Sequence, residues 1–132
     1  MKKLALATAC VTIMLGGATA SAAGPALYPH VWGVKVTGAP APVLNAVWLI
    51  AFQRTAFTVT RNRTVAIRGT VKIAGNHVTF HDVSGPFRCK GAQATGRYVW
   101  KITGTKLRFT RLADKCPGRS TLLTATYTRV PG

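Results

Sequence analysis

The chain has 132 residues, of which 18 are Lys or Arg and only two, Asp82 and Asp114, are acidic; Glu is absent. That length suits one domain, and the shortage of carboxylates leaves acid–base catalysis with a single candidate pair, Asp82 and Asp114, which nothing in the sequence brings together. A formal net charge of +16 sets up a long-range positive potential that draws polyanions and anionic surfaces.

Residues 1–22 have the form of a secretory signal peptide. Met1-Lys2-Lys3 is the charged start, Leu4 to Leu15 is an apolar run too short to span a membrane, and Ala18-Thr19-Ala20 and Ala20-Ser21-Ala22 both fit the cleavage pattern. Cleavage near Ala20 to Ala23 predicts a secreted, extracellular protein. Cys10 lies inside this segment, and Ala7 stands where a lipid-attachment site would carry Leu. Removing the signal takes Lys2 and Lys3 away, so the net charge falls from +16 to +14. It also leaves Cys89 and Cys116 as the only cysteines. An even count in an exported chain favours a disulfide, and closing a loop of this length would stabilise the fold by about 3–4 kcal/mol in the chain-entropy model. The spacing is far from C-x-x-C, and no His or Cys nearby completes a zinc site.

Residues 23–42 carry Pro25, Pro29, Pro40 and Pro42 around the apolar piece Val31 to Val36. They predict a Pro-rich arm with an edge strand at most. From residue 43 to the C-terminus, apolar residues recur at period 2 in segment after segment. Leu44, Ala46, Trp48, Ile50 and Phe52 share one face, and Phe57 and Val59 begin the next strand. Val65, Ile67, Gly69, Val71 and Ile73 alternate with Arg68 and Lys72, and Val78 and Phe80 alternate with His77, Thr79 and His81. Tyr98, Trp100 and Ile102 follow, then Leu107 and Phe109, with Arg97, Lys101, Lys106 and Arg108 in the intervening positions. Thr121 to Val130 is rich in Thr, Leu and Tyr and reads as a last strand.

Short breaks with turn residues separate these segments: Arg61-Asn62-Arg63, Ala74-Gly75-Asn76 and Thr103-Gly104-Thr105. No amphipathic helix is predicted after the signal peptide. Sequential antiparallel strands must bury one face and hide their edges, and closing the sheet does both. The sequence therefore predicts an all-β protein, an up-and-down antiparallel barrel of about eight strands, with a β-sandwich as the alternative. Gly69, mid-strand on the apolar face, suits a bulge that helps a small barrel close. A Cys89–Cys116 bond would clamp the open end of the hairpin between them.

The run Gly85-Pro-Phe-Arg-Cys89-Lys-Gly-Ala-Gln-Ala-Thr-Gly96-Arg-Tyr98-Val-Trp100, continued by Leu107, Asp114, Cys116, Arg119, Leu123 and Thr128-Arg129-Val130, resembles the small secreted lipocalin-like (calycin) proteins of actinobacteria. The resemblance covers about residues 43–130. It implies an up-and-down barrel whose interior accepts a small apolar ligand, with only the cysteine pair and the buried aromatics carried over. The G-x-W start and preceding helix of a standard lipocalin are missing.

Little catalytic chemistry is on offer. Ser84 lies in no G-x-S-x-G elbow, and His77 and His81 would share a strand face at about 13 Å, too far apart for one metal ion. No catalytic residue, metal or cofactor is predicted, and the expected role is non-enzymatic binding. The first candidate site is the barrel interior, where Trp48, Phe80, Tyr98, Trp100 and Phe109 would meet a small apolar or aromatic ligand, Tyr98 and Trp100 foremost because each carries a polar atom. The alternative is the outer face, where Arg68, Lys72, Arg97, Lys101, Lys106 and Arg108 would grip nucleic acid, an anionic cell-wall polymer or a membrane surface. Without outward aromatics to stack bases, such binding would not be specific for nucleic acid. A further alternative is a protein-interaction or inhibitor role for the Cys89–Gly96 loop. Asp114 and Arg119 flank Cys116 and would form an exposed ion pair worth ~0–1 kcal/mol.

Overall fold

The two-residue rhythm governs the architecture. On the strand His77–Ser84, Val78, Phe80 and Asp82 are buried while His77, His81 and Val83 face solvent. A computed structural model describes residues 26–131 of the chain; the segment expected to be a signal peptide and the first residues of the Pro-rich arm lie outside them. Eight strands follow in order: β1 Val31–Val36, β2 Ala46–Phe52, β3 Ala56–Arg61, β4 Thr64–Ala74, β5 His77–Ser84, β6 Thr95–Thr103, β7 Lys106–Asp114 and β8 Tyr127–Arg129. Each pairs antiparallel with its sequence neighbour, and β8 returns to β1, so the sheet closes as an up-and-down barrel rather than a sandwich.

The hairpins turn where the breaks predict. Asn62-Arg63, Gly75-Asn76 and Gly104-Thr105 link paired strand ends, and Asn62 and Arg63 both take positive φ, at 47° and 69°. Such two-residue turns match the twist of the flanking strands. At Gly69 the register of β4 against β5 shifts, a bulge as expected. A Cβ there would sit 2.2 Å from the His81 carbonyl oxygen and 2.6 Å from the Phe57 ring, which leans over the glycine from the facing position on β3.

Two readings need correction. Val31–Val36 is no edge strand: it pairs with β2 on one side and β8 on the other, so the barrel begins at Val31 rather than residue 43. The final segment is not one strand. Pro117 opens a seven-residue helix, α1 (Pro117–Leu123), and only Tyr127–Arg129 is extended. Proline at the first helical position is already set for a helix, and Leu122 and Leu123 then bury on the barrel, which outweighs the strand preference of the threonines. No helix among the described residues is long and apolar enough to cross a membrane.

Side chains fill the barrel. Phe80 is the hub of an aromatic cluster, its ring centroid 5.1 Å from Phe57, 5.8 Å from Phe109, 5.9 Å from Tyr98 and 6.0 Å from Phe52. All but the tilted Phe52 contact are edge-to-face, and such contacts add about 0.5–1.5 kcal/mol each beyond burial.

Candidate functional site

The connections β1–β2, β5–β6 and β7–β8 gather at one end of the barrel, and both carboxylates of the chain lie there, 4% exposed each. Asp82 arrives on β5 in phase with Val78 and Phe80; Asp114 ends β7. Arg119, on α1, reaches between them. Its Nε and Nη2 meet Asp114 Oδ2 and Oδ1, both at 2.8 Å, and its Nη1 lies 3.0 Å from Asp82 Oδ1. The same guanidinium donates to the carbonyls of Ala94 (3.0 Å) and Gln93 (2.7 Å), tying down the β5–β6 connection. The pair expected to be exposed is instead buried, because α1 folds Arg119 back over the barrel end.

The carboxylates also hold the disulfide. The Cys89 N–H donates to Asp82 Oδ2 at 2.8 Å and the Cys116 N–H to Asp114 Oδ1 at 2.9 Å. Cys89 and Cys116 are bonded, with Cα atoms 6.2 Å apart. Tyr98 points its hydroxyl inward and donates to Asp114 Oδ2. Burial alone would raise the Asp114 carboxyl, but hydrogen bonds from Arg119, Tyr98 and the Cys116 N–H outweigh it and hold Asp114 below the ordinary carboxylate range. Burial would likewise ease the proton off Arg119, and the two aspartates hold it on. Burial first, then the neighbouring Asp114, pushes the Tyr98 hydroxyl up; burial does the same for Tyr127.

Two spaces adjoin this cluster. An inner cavity of about 30 Å³ is lined by Phe57, Phe80, Asp82, Arg119 and Leu122 among others, with Trp48 on its wall. An outer cleft of about 310 Å³ opens between Val43 and Leu44 on one side and Phe87, the disulfide and Pro117 on the other. Of the predicted interior residues, Trp48 and Phe80 line the inner cavity, whereas Tyr98, Trp100 and Phe109 line neither space. Trp48 donates its Nε1 to the Leu44 carbonyl. Trp100 is half-buried against the core with its Nε1 hidden from solvent and without a hydrogen-bond partner.

The six predicted cations Arg68, Lys72, Arg97, Lys101, Lys106 and Arg108 are all exposed. β5 intervenes between β4 and β6, so they do not lie on three consecutive strands. Even so, Thr79 pairs with Lys72 on one side and Arg97 on the other, placing those two cations in one row about 10 Å apart. Lys101 stands directly opposite Arg108, and Lys106 lies at the same end, its Nζ donating to Thr128. Because Asp82 and Asp114 are buried with Arg119, no acidic side chain of the chain reaches the surface. The Cys89–Gly96 loop keeps Lys90, Gly91 and Ala92 exposed while Arg119 anchors its far end.

Sequence reasoning found the Asp114–Arg119 pair but missed its burial and the part Asp82 plays in it. For Asp82 a signal existed, since alternation with Val78 and Phe80 already sends it inward. For the burial of Arg119 none did, because its carbonyl partners stand 25 and 26 positions away. The chain matches no protein-family model, no curated protein and no solved structure.

Proposed function

We propose that this protein is a secreted, non-enzymatic binding module that holds phosphate-bearing anionic polymers on its outer face, within a lipocalin-like barrel. The observation that carries this reading is the segregation of charge. The only two carboxylates are buried on Arg119, so the other cations of the described chain, all exposed but the half-buried Arg61, have no acidic neighbour to neutralise them. Lys72, Arg97, Lys101 and Arg108 gather on the sheet β4–β7, and in such a field even loosely placed phosphates are attracted. The interior-ligand reading has less to rest on, since side chains occupy the barrel.

Titration of the protein with a mixed-sequence single-stranded oligonucleotide and with polyphosphate, across a range of salt, tests the reading. Affinity should be blind to base sequence and fall linearly on a log–log plot against salt, with a slope of about −0.7 per phosphate neutralised for a single strand. Neutralising Lys101 and Arg108 together should flatten that slope by about 1.4. Binding that persists at high salt, or that ignores the double variant, would contradict it.

A further inference from the structure

The buried cluster carries an imbalance. Two carboxylates face one guanidinium, and Asp82 Oδ1, though 3.0 Å from Arg119 Nη1, is not in line with an N–H and has no hydrogen-bond partner. A buried carboxylate oxygen without a donor is costly. That oxygen belongs to a side chain lining the inner cavity, whose 30 Å³ is room for a water or an ammonium group. Trp48, Ile67, Arg119 and Leu122 line both the inner cavity and the outer cleft, so the two spaces meet at these side chains. The outer cleft, at 310 Å³, reaches the lower end of the range for small-molecule sites, and its walls are largely apolar, with Trp48 and Phe87 meeting edge-to-face at 5.9 Å.

We propose that this end of the barrel binds a small primary amine with an apolar body: the ammonium donates to Asp82 Oδ1 from the inner cavity, and the body lies in the outer cleft against Trp48, Phe87 and Val43. Three features select that chemistry. The orphan group is an acceptor, so the ligand must donate. Arg119 is committed to Asp114 and two carbonyls by hydrogen bonds and turns its remaining edge to Asp82, so it is not free to receive an anion, and Arg61, which lies over the Phe87 ring at 5.8 Å, lines neither space. The cluster is net negative, which favours a cationic donor over a neutral one. The positive surface does not prevent this, because exposed charges are largely screened beyond about 8 Å at physiological salt while buried contacts are screened far less. The site is separate from the outer cationic face and does not depend on that reading.

Phenethylamine, phenethyl alcohol and benzoate are suitable probes, followed by amide and indole chemical shifts of the isotope-labelled protein. The amine should move the Trp48 indole and Gly118 amide signals and leave β6 and β7 outer-face signals unmoved. It should bind at least about tenfold tighter than the alcohol, a difference of about 1.4 kcal/mol, and benzoate should not bind there. Asp82→Asn should erase the preference for amine over alcohol. Val43→Trp, at an exposed wall of the cleft, should block all binding without touching the ion cluster. No movement of Trp48 at millimolar amine, equal binding of benzoate, or undiminished binding by Val43→Trp would each overturn the proposal.

Discussion

Arg119 grips Asp114 with two parallel hydrogen bonds, Nε to Oδ2 and Nη2 to Oδ1, each 2.8 Å long, with both side chains nearly inaccessible. The fork geometry matches the carboxylate in a way a point-charged ammonium cannot. Arg119→Met would leave two buried carboxylates without a counter-charge, a change that costs about 3–5 kcal/mol. Arg119→Lys should recover only part of that loss, since it cannot serve Asp114 in bidentate fashion and reach the Gln93 and Ala94 carbonyls as well. Urea unfolding midpoints of the two variants check the order. Equal stability of Arg119→Met and the parent would show that the cluster does not support the fold.

The same cluster sets the pH range of the fold. Asp114 is held below its ordinary value by Arg119, Tyr98 and the Cys116 N–H against the opposing pull of burial. Its contribution is therefore complete above the unfolded value of about 3.9 and is lost as pH falls below it. Tyr98 and Tyr127 are raised by burial. Their contribution is complete below the unfolded value of about 10 and is lost as pH climbs beyond it. Stability plotted against pH should be level between these limits and fall on both sides. Asp114→Asn should lower the plateau and remove part of the acid limb, and Tyr127→Phe, which keeps the ring, should soften the alkaline limb. Unfolding midpoints measured across pH would decide, and an acid limb unchanged by Asp114→Asn would refute the assignment.

Glycine spacing around the cluster gives a contrast within one molecule. A Cβ on Gly96 would stand 2.6 Å from Asp114 Oδ2 and 2.8 Å from Arg119 Nε, closer than real contacts allow, while a Cβ on Gly118 meets nothing within 4 Å. Gly96→Ala must displace the ion pair and should destabilise by about 1–3 kcal/mol. Gly118→Ala, in the helix α1, should stabilise by about 0.5–1 kcal/mol through lower chain entropy. Thermal or urea unfolding of both variants should show opposite signs; a harmless Gly96→Ala would mean the pair has slack to move.

The barrel wall was legible from sequence because a strand has a two-residue period and a cheap error signal. Shifting Val78 and Phe80 by one place would send them to solvent and His77 and His81 into the core. The turns were legible at Gly75 and Gly104 for a backbone reason, a positive φ that other residues resist. The helix α1 was hidden because its seven residues are too few for a helical period to emerge, and Pro117 is the only local cue. Of the ion cluster the Asp114–Arg119 pair was legible, five positions apart, but its burial and its link to Asp82 were hidden for another reason. Asp82, Asp114 and Arg119 come from three separate elements, and only closure of the barrel end makes a lone inward carboxylate tolerable. The cationic face was visible as alternation, but the cross-strand partner of each cation depended on a register that the bulge between Arg97 and Tyr98 shifts.

That register yields a test in which stability and binding move in opposite directions. Lys101 and Arg108 are direct cross-strand neighbours of like charge, and no acidic side chain on the surface relieves them. Like charges so placed destabilise a sheet, and opposite charges favour it by about 0.2–1 kcal/mol. Lys101→Glu should therefore raise the urea midpoint at low salt, and added salt, which screens the repulsion in the parent, should narrow the gap between the two. The same substitution should weaken oligonucleotide and polyphosphate binding and flatten its salt dependence. A surface shaped only by folding would gain from the exchange with nothing lost, so a variant that is both more stable and equally adhesive would remove the reason to assign this face a ligand.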